Sequence, residues 1–497
     1  MKKKMLLVLL LCFAAMTAIG AQGTNENIGS LVETMEIKTA QPKYVFMFIG
    51  DGMSHVQTNA AQVLNGNNTK GAISLSPLTF TEFPVQGLQT TYDATSFCPD
   101  SASTATSLSS GIKTHSGVLG MGVDKTTKSE NIAEKLKKQK DWKVGVISTV
   151  TINHATPAAY YAHVPSRNNY YDIGLQMVDS GFDYFAGGAI SKDADQGKTS
   201  IYTLLEQKGY TVTTTRDEFL NLNANNAKVY AQSPRLQDGG SMPYAMDMED
   251  DDITLAQLVE KGIEVLDNEK GFFIMTESGK IDWACHANDA AAEIYDLLAF
   301  DEAIAVALDF AQKHPQETLI VVTGDHETGG MTIGYAATGY NTAFDILRNQ
   351  KLSYVAFDQK IADLKKSNPR LSFNEVMTLV TENFGLVAPS STKTNDASLV
   401  MTEYEYTRLK DAYVQSMLPK TERVKDEVSS LLYGGYDPLS VTLTHILNNK
   451  AGIGWTSYSH TGTPVAVYAS GIGAEKFSGS YDNTDIFNKL KNLVGVI

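Results

Sequence analysis

Residues 43–49 (KYVFMFI) run straight into Gly50-Asp51-Gly52, and no other stretch limits the possible fold as strongly. A short, almost continuous apolar run without alternation describes a strand buried on both faces. The flanking glycines let the backbone turn sharply and set a carboxylate at the strand end. Similar runs recur at 143–150 (KVGVISTV), 271–276 (GFFIMT) and 318–323 (TLIVVT). Helical patterns alternate with them at 131–140, 172–179, 254–266, 287–313 and 483–493. This alternation predicts an α/β fold, a three-layer α/β/α sandwich around a large mostly parallel sheet. In such sheets ligands bind beyond the carboxyl ends of the strands.

The chain's ends and charge narrow the function. Met1-Lys2-Lys3-Lys4 precedes an apolar run over 6–15 and the small residues Ala18, Gly20 and Ala21. That order reads as a signal peptide over 1–21 and an exported protein, periplasmic or secreted. No later stretch reaches the ~20 apolar residues that spanning a bilayer requires. The formal net charge is −15, which argues against nucleic acid or an anionic membrane as a main partner. Beyond the leader only Cys98 and Cys285 remain, too few for a disulfide framework. Their separation in sequence leaves open whether they pair.

Residues 336–445 read differently from their surroundings. Helical patterns at 357–366, 373–384 and 402–417 are broken by a polar stretch at 387–396. This predicts a mainly helical insertion between a first core part, 22–335, and a last core part, 446–497. A long excursion of this kind in a compact enzyme caps a site or supports a subunit contact.

Five segments concentrate chemistry. Asp51 follows the first strand. Pro99-Asp100-Ser101, followed by small residues to Ser107, reads as a helix start with Ser101 at or near its cap, suited to a phosphate. Glu277 follows the strand 271–276. Asp282 and His286, four apart, share one helical face. Asp325-His326 sits between glycines directly after a buried strand, and His460 precedes another. Carboxylates, imidazoles and a hydroxyl at strand ends are what two adjacent zinc sites require. The oxygen donors Glu277 and Thr156 suit a hard, octahedral magnesium.

These blocks resemble the alkaline phosphatase family. Asp100-Ser101-Ala102-Ser103-Thr104-Ala105-Thr106 is similar to that family's nucleophile signature. Gly50-Asp51-Gly52-Met53, Asn153-His154-Ala155-Thr156-Pro157-Ala158, Ala162 through Arg167, Glu277 through His286, Gly324 through Glu327 and His460-Thr461-Gly462 match its other blocks in the same order. The resemblance implies hydrolysis of phosphate monoesters with two Zn²⁺ and one Mg²⁺. It implies that Ser101 attacks phosphorus and becomes a phosphoserine. Asp51, Asp325 and His326 would hold the zinc that activates Ser101. Asp282, His286 and His460 would hold a second zinc that neutralises the leaving oxygen. Asp51, Thr156 and Glu277 would ligate magnesium, and Arg167 would fork onto two phosphate oxygens. A homodimer is implied too.

Two positions depart from some relatives. His154 stands where some have Asp, and Trp283 where others have Lys or His. Both neighbour the expected phosphate and magnesium sites, and losing a cation at 283 predicts looser phosphate retention. A sulfatase reading fails because Cys98-Pro99-Asp100-Ser101-Ala102 lacks the Cys-x-Pro-x-Arg pattern. A phosphodiesterase of the same superfamily, or a non-catalytic protein that holds metal and phosphate, are the alternatives.

Overall fold

A computed structural model describes residues 41–194, 197–392 and 394–497. The expected signal peptide lies outside the described residues. The main sheet has ten strands: β1 (Tyr44–Gly50), β2 (Val85–Thr90), β3 (Lys143–Ser148), β4 (Tyr184–Gly187), β5 (Thr211–Thr213), β6 (Val229–Gln232), β7 (Phe272–Ser278), β8 (Thr318–Gly324), β9 (Val465–Gly471) and β10 (Gly479–Asp482). Their order is β10-β2-β9-β8-β1-β7-β3-β4-β6-β5. All pairings are parallel except those of β9 with β2 and β8.

β1 lies at the centre, and its period of two divides the core. Tyr44, Phe46 and Phe48 belong to one apolar cluster, with helices Leu255–Leu266 and Ala290–Lys313. Val45, Met47 and Ile49 belong to the other, with helices Ser101–Ser110, Ile132–Lys140 and Thr484–Val494. Both faces are therefore covered, which is why these strands read as unbroken apolar runs. Four helices matter for the site: α1 (His55–Asn65), α2 (Ser101–Ser110), α3 (Lys280–His286) and α4 (Ala290–Lys313).

The region after β8 is mainly helical, with helices Tyr354–Ser367, Phe373–Phe384, Glu403–Met417 and Glu427–Tyr433. A further helix, Pro438–Ala451, runs across residue 445. Tyr354 and Tyr436 from this region join a small buried cluster with Tyr244, Ala284 and Trp283. The helical segment thus packs directly against α3. Among the described residues no helix is long and apolar enough to cross a membrane.

Candidate active site

Register brings the acids together. Gly50 lies opposite both Ser278 and Gly324, so β1, β7 and β8 end level with one another. Asp51, Glu277 and Asp325 converge at that edge, all fully buried or nearly so. His326 Nε2 stands 3.3 Å from Asp51 Oδ1 and 3.3 Å from Asp325 Oδ2. Thr156 Oγ1 donates to Asp51 Oδ2 at 3.4 Å, and Ser148 Oγ donates to Glu277 Oε2.

A second set gathers beside the first. His286 Nε2 is 3.3 Å from Asp282 Oδ2 and 3.1 Å from His460 Nε2. His460 Nε2 is 3.5 Å from Asp282 Oδ1. Helical spacing in α3 accounts for the Asp282–His286 pair, while the short strand His460–Thr461 supplies His460. Both imidazoles face backbone carbonyls with Nδ1: His286 toward Tyr458 at 2.6 Å and His460 toward Pro99 at 2.5 Å. A carbonyl accepts only, so Nδ1 carries a proton in each ring and Nε2, which faces Asp282, is the nitrogen that a metal would take once it sheds its own proton.

Ser101 is the first residue of α2, one place inside the cap. Asp100 is the cap, its Oδ1 accepting from Ser103 N at 3.0 Å. Every residue of α2 is buried, and the small side chains of Ala102, Ser103 and Ala105 permit that close packing. Ser101 Oγ lies 3.3 Å from His326 Nε2. Arg167 closes the other side: Nη1 donates to Asp100 Oδ2 at 3.0 Å and Nη2 to His154 Nε2 at 3.1 Å. The Trp283 ring meets the His154 ring edge-on at 5.8 Å. Every residue singled out from the sequence lies in this one region.

The arrangement fits divalent cations. Two groups offer ligand atoms within 4.8 Å of one another: Asp51, Asp325 and His326, and Asp282, His326 and His460. Asp51 Oδ1 and Glu277 Oε1 are buried without a hydrogen-bond partner. Burial pushes the Asp325 and Glu277 carboxyls up to about 7, and burial with the neighbouring Asp325 charge pushes Asp51 well above its usual range. Burial opposes ionisation at Asp282 too, but His286 and His460 hold it well below the usual value. Acids crowded in this way favour protons over charge, and a dication among them reverses that preference.

Some partners were not visible as motifs. Asp100 pairs with Arg167 and also accepts from Gly117 N at 2.9 Å. Thr104 Oγ1 donates to Asp325 Oδ2 at 2.8 Å, and Thr328 Oγ1 donates to Asp282 Oδ1. Such hydroxyls aim the carboxylates, and only Asp100, inside Pro-Asp-Ser, carried a local signal. Cys98 is exposed and Cys285 buried; both are free thiols. Cys285 belongs to the core cluster and takes no place among the candidate ligands.

A serine at a helix start, beside clustered acids and imidazoles at the carboxyl edge of a mostly parallel sheet, defines an α/β protein whose site suits metal-assisted chemistry on phosphate. The family description Alkaline phosphatase matches residues 42–192 and 188–496. Alkaline phosphatase 3 of Bacillus subtilis (strain 168) is 29% identical, over 97% of this chain and 95% of its own length. Alkaline phosphatase 4 of the same organism is 30% identical, over 90% of this chain and 88% of its own. The crystal structure of a cold-active alkaline phosphatase from the psychrophile Shewanella sp. superposes with a TM-score of 0.74 at 27% identity, covering 91% of this chain and 99% of that one. The chain belongs to the alkaline phosphatase family and is an enzyme that hydrolyses phosphate monoesters.

Proposed function

We propose that this enzyme works through a phosphoserine at Ser101, with two zinc ions and one magnesium ion. The observation that carries this reading is the position of Ser101 Oγ, 3.3 Å from His326 Nε2, which itself contacts Asp51 and Asp325 and stacks on His460 beside Asp282 and His286. Asp51, Asp325 and His326 would hold one zinc, and Asp282, His286 and His460 the other. Asp51, Thr156 and Glu277, a set of oxygens alone, would hold magnesium. Once bound, the metals supply Lewis acidity, lowering the pKa of hydroxyl and water and offsetting the charge of the phosphate.

The chain's own groups do the rest. Ser101 Oγ forms a bond to phosphorus as the ester P–O bond breaks and the alcohol leaves with a proton. Water then attacks phosphorus, the serine oxygen departs and regains a proton, and inorganic phosphate is released. The guanidinium of Arg167 has five N–H donors and spends them partly on Asp100 and His154. The remaining donors meet two non-bridging phosphate oxygens. The first-turn N–H groups of α2 add a positive end toward the same oxygens. His154 stays neutral, because burial and then Arg167 hold its imidazole down at about 3.

Trapping tests this directly. Incubation with labelled inorganic phosphate at mildly acidic pH, followed by peptide mapping, yields label on Ser101. Label elsewhere, or none in a protein that turns over monoesters, overturns the phosphoserine. Metal analysis of the same sample returns two zinc and one magnesium per chain. An exported homodimer is also proposed, with the helical segment over 336–445 capping the site; mass in solution checks the dimer.

A further inference from the structure

Lys280 opens α3, three residues before Trp283, and is fully buried. A lysine so placed needs partners, since its charge is costly away from water. Its Nζ lies 3.1 Å from Ser241 Oγ and 3.4 Å from Asp238 Oδ2. The same ammonium lies over two rings, 3.6 Å from the centroid of Tyr244 and 4.9 Å from that of Trp283. Cation–π attraction is strongest where water is excluded, as it is here.

The indole then meets the phosphate clamp. Trp283 packs edge-on against His154 at 5.8 Å and 78°. His154 Nε2 accepts from Arg167 Nη2 at 3.1 Å, so its proton sits on Nδ1, which is buried without a partner. The bond to Arg167 fixes Nε2 but leaves the tilt of the ring to whatever packs against its face and edge. The indole beside it is the second restraint. The cation absent from position 283 is thus present one turn earlier, packed against the indole.

We propose that Lys280 is a positioning residue for phosphate binding: its ammonium fixes the Trp283 indole, which holds His154, which in turn sets the Arg167 fork. This rests on Arg167 being the phosphate-binding group. It alters retention of substrate and product far more than the chemical step, since Lys280 touches neither the nucleophile nor the candidate metal ligands.

The test uses metal-loaded enzyme with p-nitrophenyl phosphate as substrate and inorganic phosphate as inhibitor. Lys280→Met raises the phosphate inhibition constant and KM together by about 5- to 10-fold, with kcat changed by less than about 3-fold. Lys280→Gln, which removes the charge but leaves a polar end toward Ser241, gives the same result should the methionine variant fold poorly. Lys280→Arg restores inhibition to within about 2-fold of the parent. Trp283→Ala weakens phosphate binding similarly, and Lys280→Met adds nothing further to it. An unchanged inhibition constant in variants of normal metal content overturns the proposal, as do fully additive effects in the double variant or a loss confined to kcat. Arg167→Lys, measured in parallel, separates the two readings. If it weakens phosphate while the Lys280 variants do not, only the role of Lys280 falls; if it leaves phosphate binding intact, the clamp falls and this inference with it.

Discussion

Ser101→Ala lowers kcat for a phosphate monoester by about 10⁴-fold or more, the scale on which removing a covalent nucleophile acts. The fold is expected to survive intact. Ser101 is buried at the first position of α2, but the cap belongs to Asp100, which keeps its bond to Ser103 N. Among the described residues Ser101 Oγ meets one side-chain partner, His326 Nε2 at 3.3 Å. Alanine is a good helix former and removes one oxygen only. Metal content and melting temperature therefore stay close to those of the parent. The measurement is kcat on p-nitrophenyl phosphate together with metal analysis and a thermal melt. A variant that keeps more than about 1% of the parent rate shows that hydrolysis bypasses Ser101. Residual turnover well above the uncatalysed rate is compatible with the reading, because Arg167 and the ligand sets still bind and polarise the phosphate.

The parts of this site legible in sequence are those where chemistry overrides packing. Asp325-His326 after a buried strand and Asp282 with His286 on one helical turn have no reason to be there as core, so their meaning shows without a structure. The four strands read as apolar runs are the central ones, β1, β3, β7 and β8, buried on both faces. The strands that escaped are short or half exposed. β4 has four residues and β5 three, too few to display a period, and β2 (VQGLQT) is mostly half-buried and carries glutamines at both its exposed and its buried position. Helix Pro438–Ala451 escaped for the opposite reason. It is buried nearly all round and rich in β-branched residues, so it has no polar face to define a stripe. Lys280 could not be found from sequence, because a lysine at a helix start reads as solvated. Only the meeting of α3 with Ser241 and Tyr244 buries it. Asp100 stands within the nucleophile block, but its pairing with Arg167 spans 67 positions and belongs to the fold.

Stripping the metals with a chelator abolishes monoesterase activity and lowers the melting temperature by on the order of 10 °C, through roughly 4 kcal/mol lost per site for a cation at a thousand times its Kd. The stability arm follows from the charge count at the sheet edge. Asp51, Glu277, Asp282 and Asp325 are each at most 3% exposed. Thr104, Ser148 and Thr156 turn hydroxyls toward three of these acids, which aims them without neutralising them. Without dications such a group either repels itself or takes up protons, and both routes cost stability relative to the loaded state. Carboxylate and neutral imidazole are the forms that ligate, so acidification competes with metal. The metal-dependent part of the melting temperature is present at neutral and alkaline pH and shrinks as pH falls toward about 5. Re-addition separates the ions: zinc suits the imidazole-bearing sets and is required for turnover, whereas magnesium alone fits the oxygen donors around Glu277 and restores stability in part. A chelated protein that melts at the parent temperature would mean that protons already neutralise these buried acids as well as cations do, and the ligand sets would then have no ions to hold.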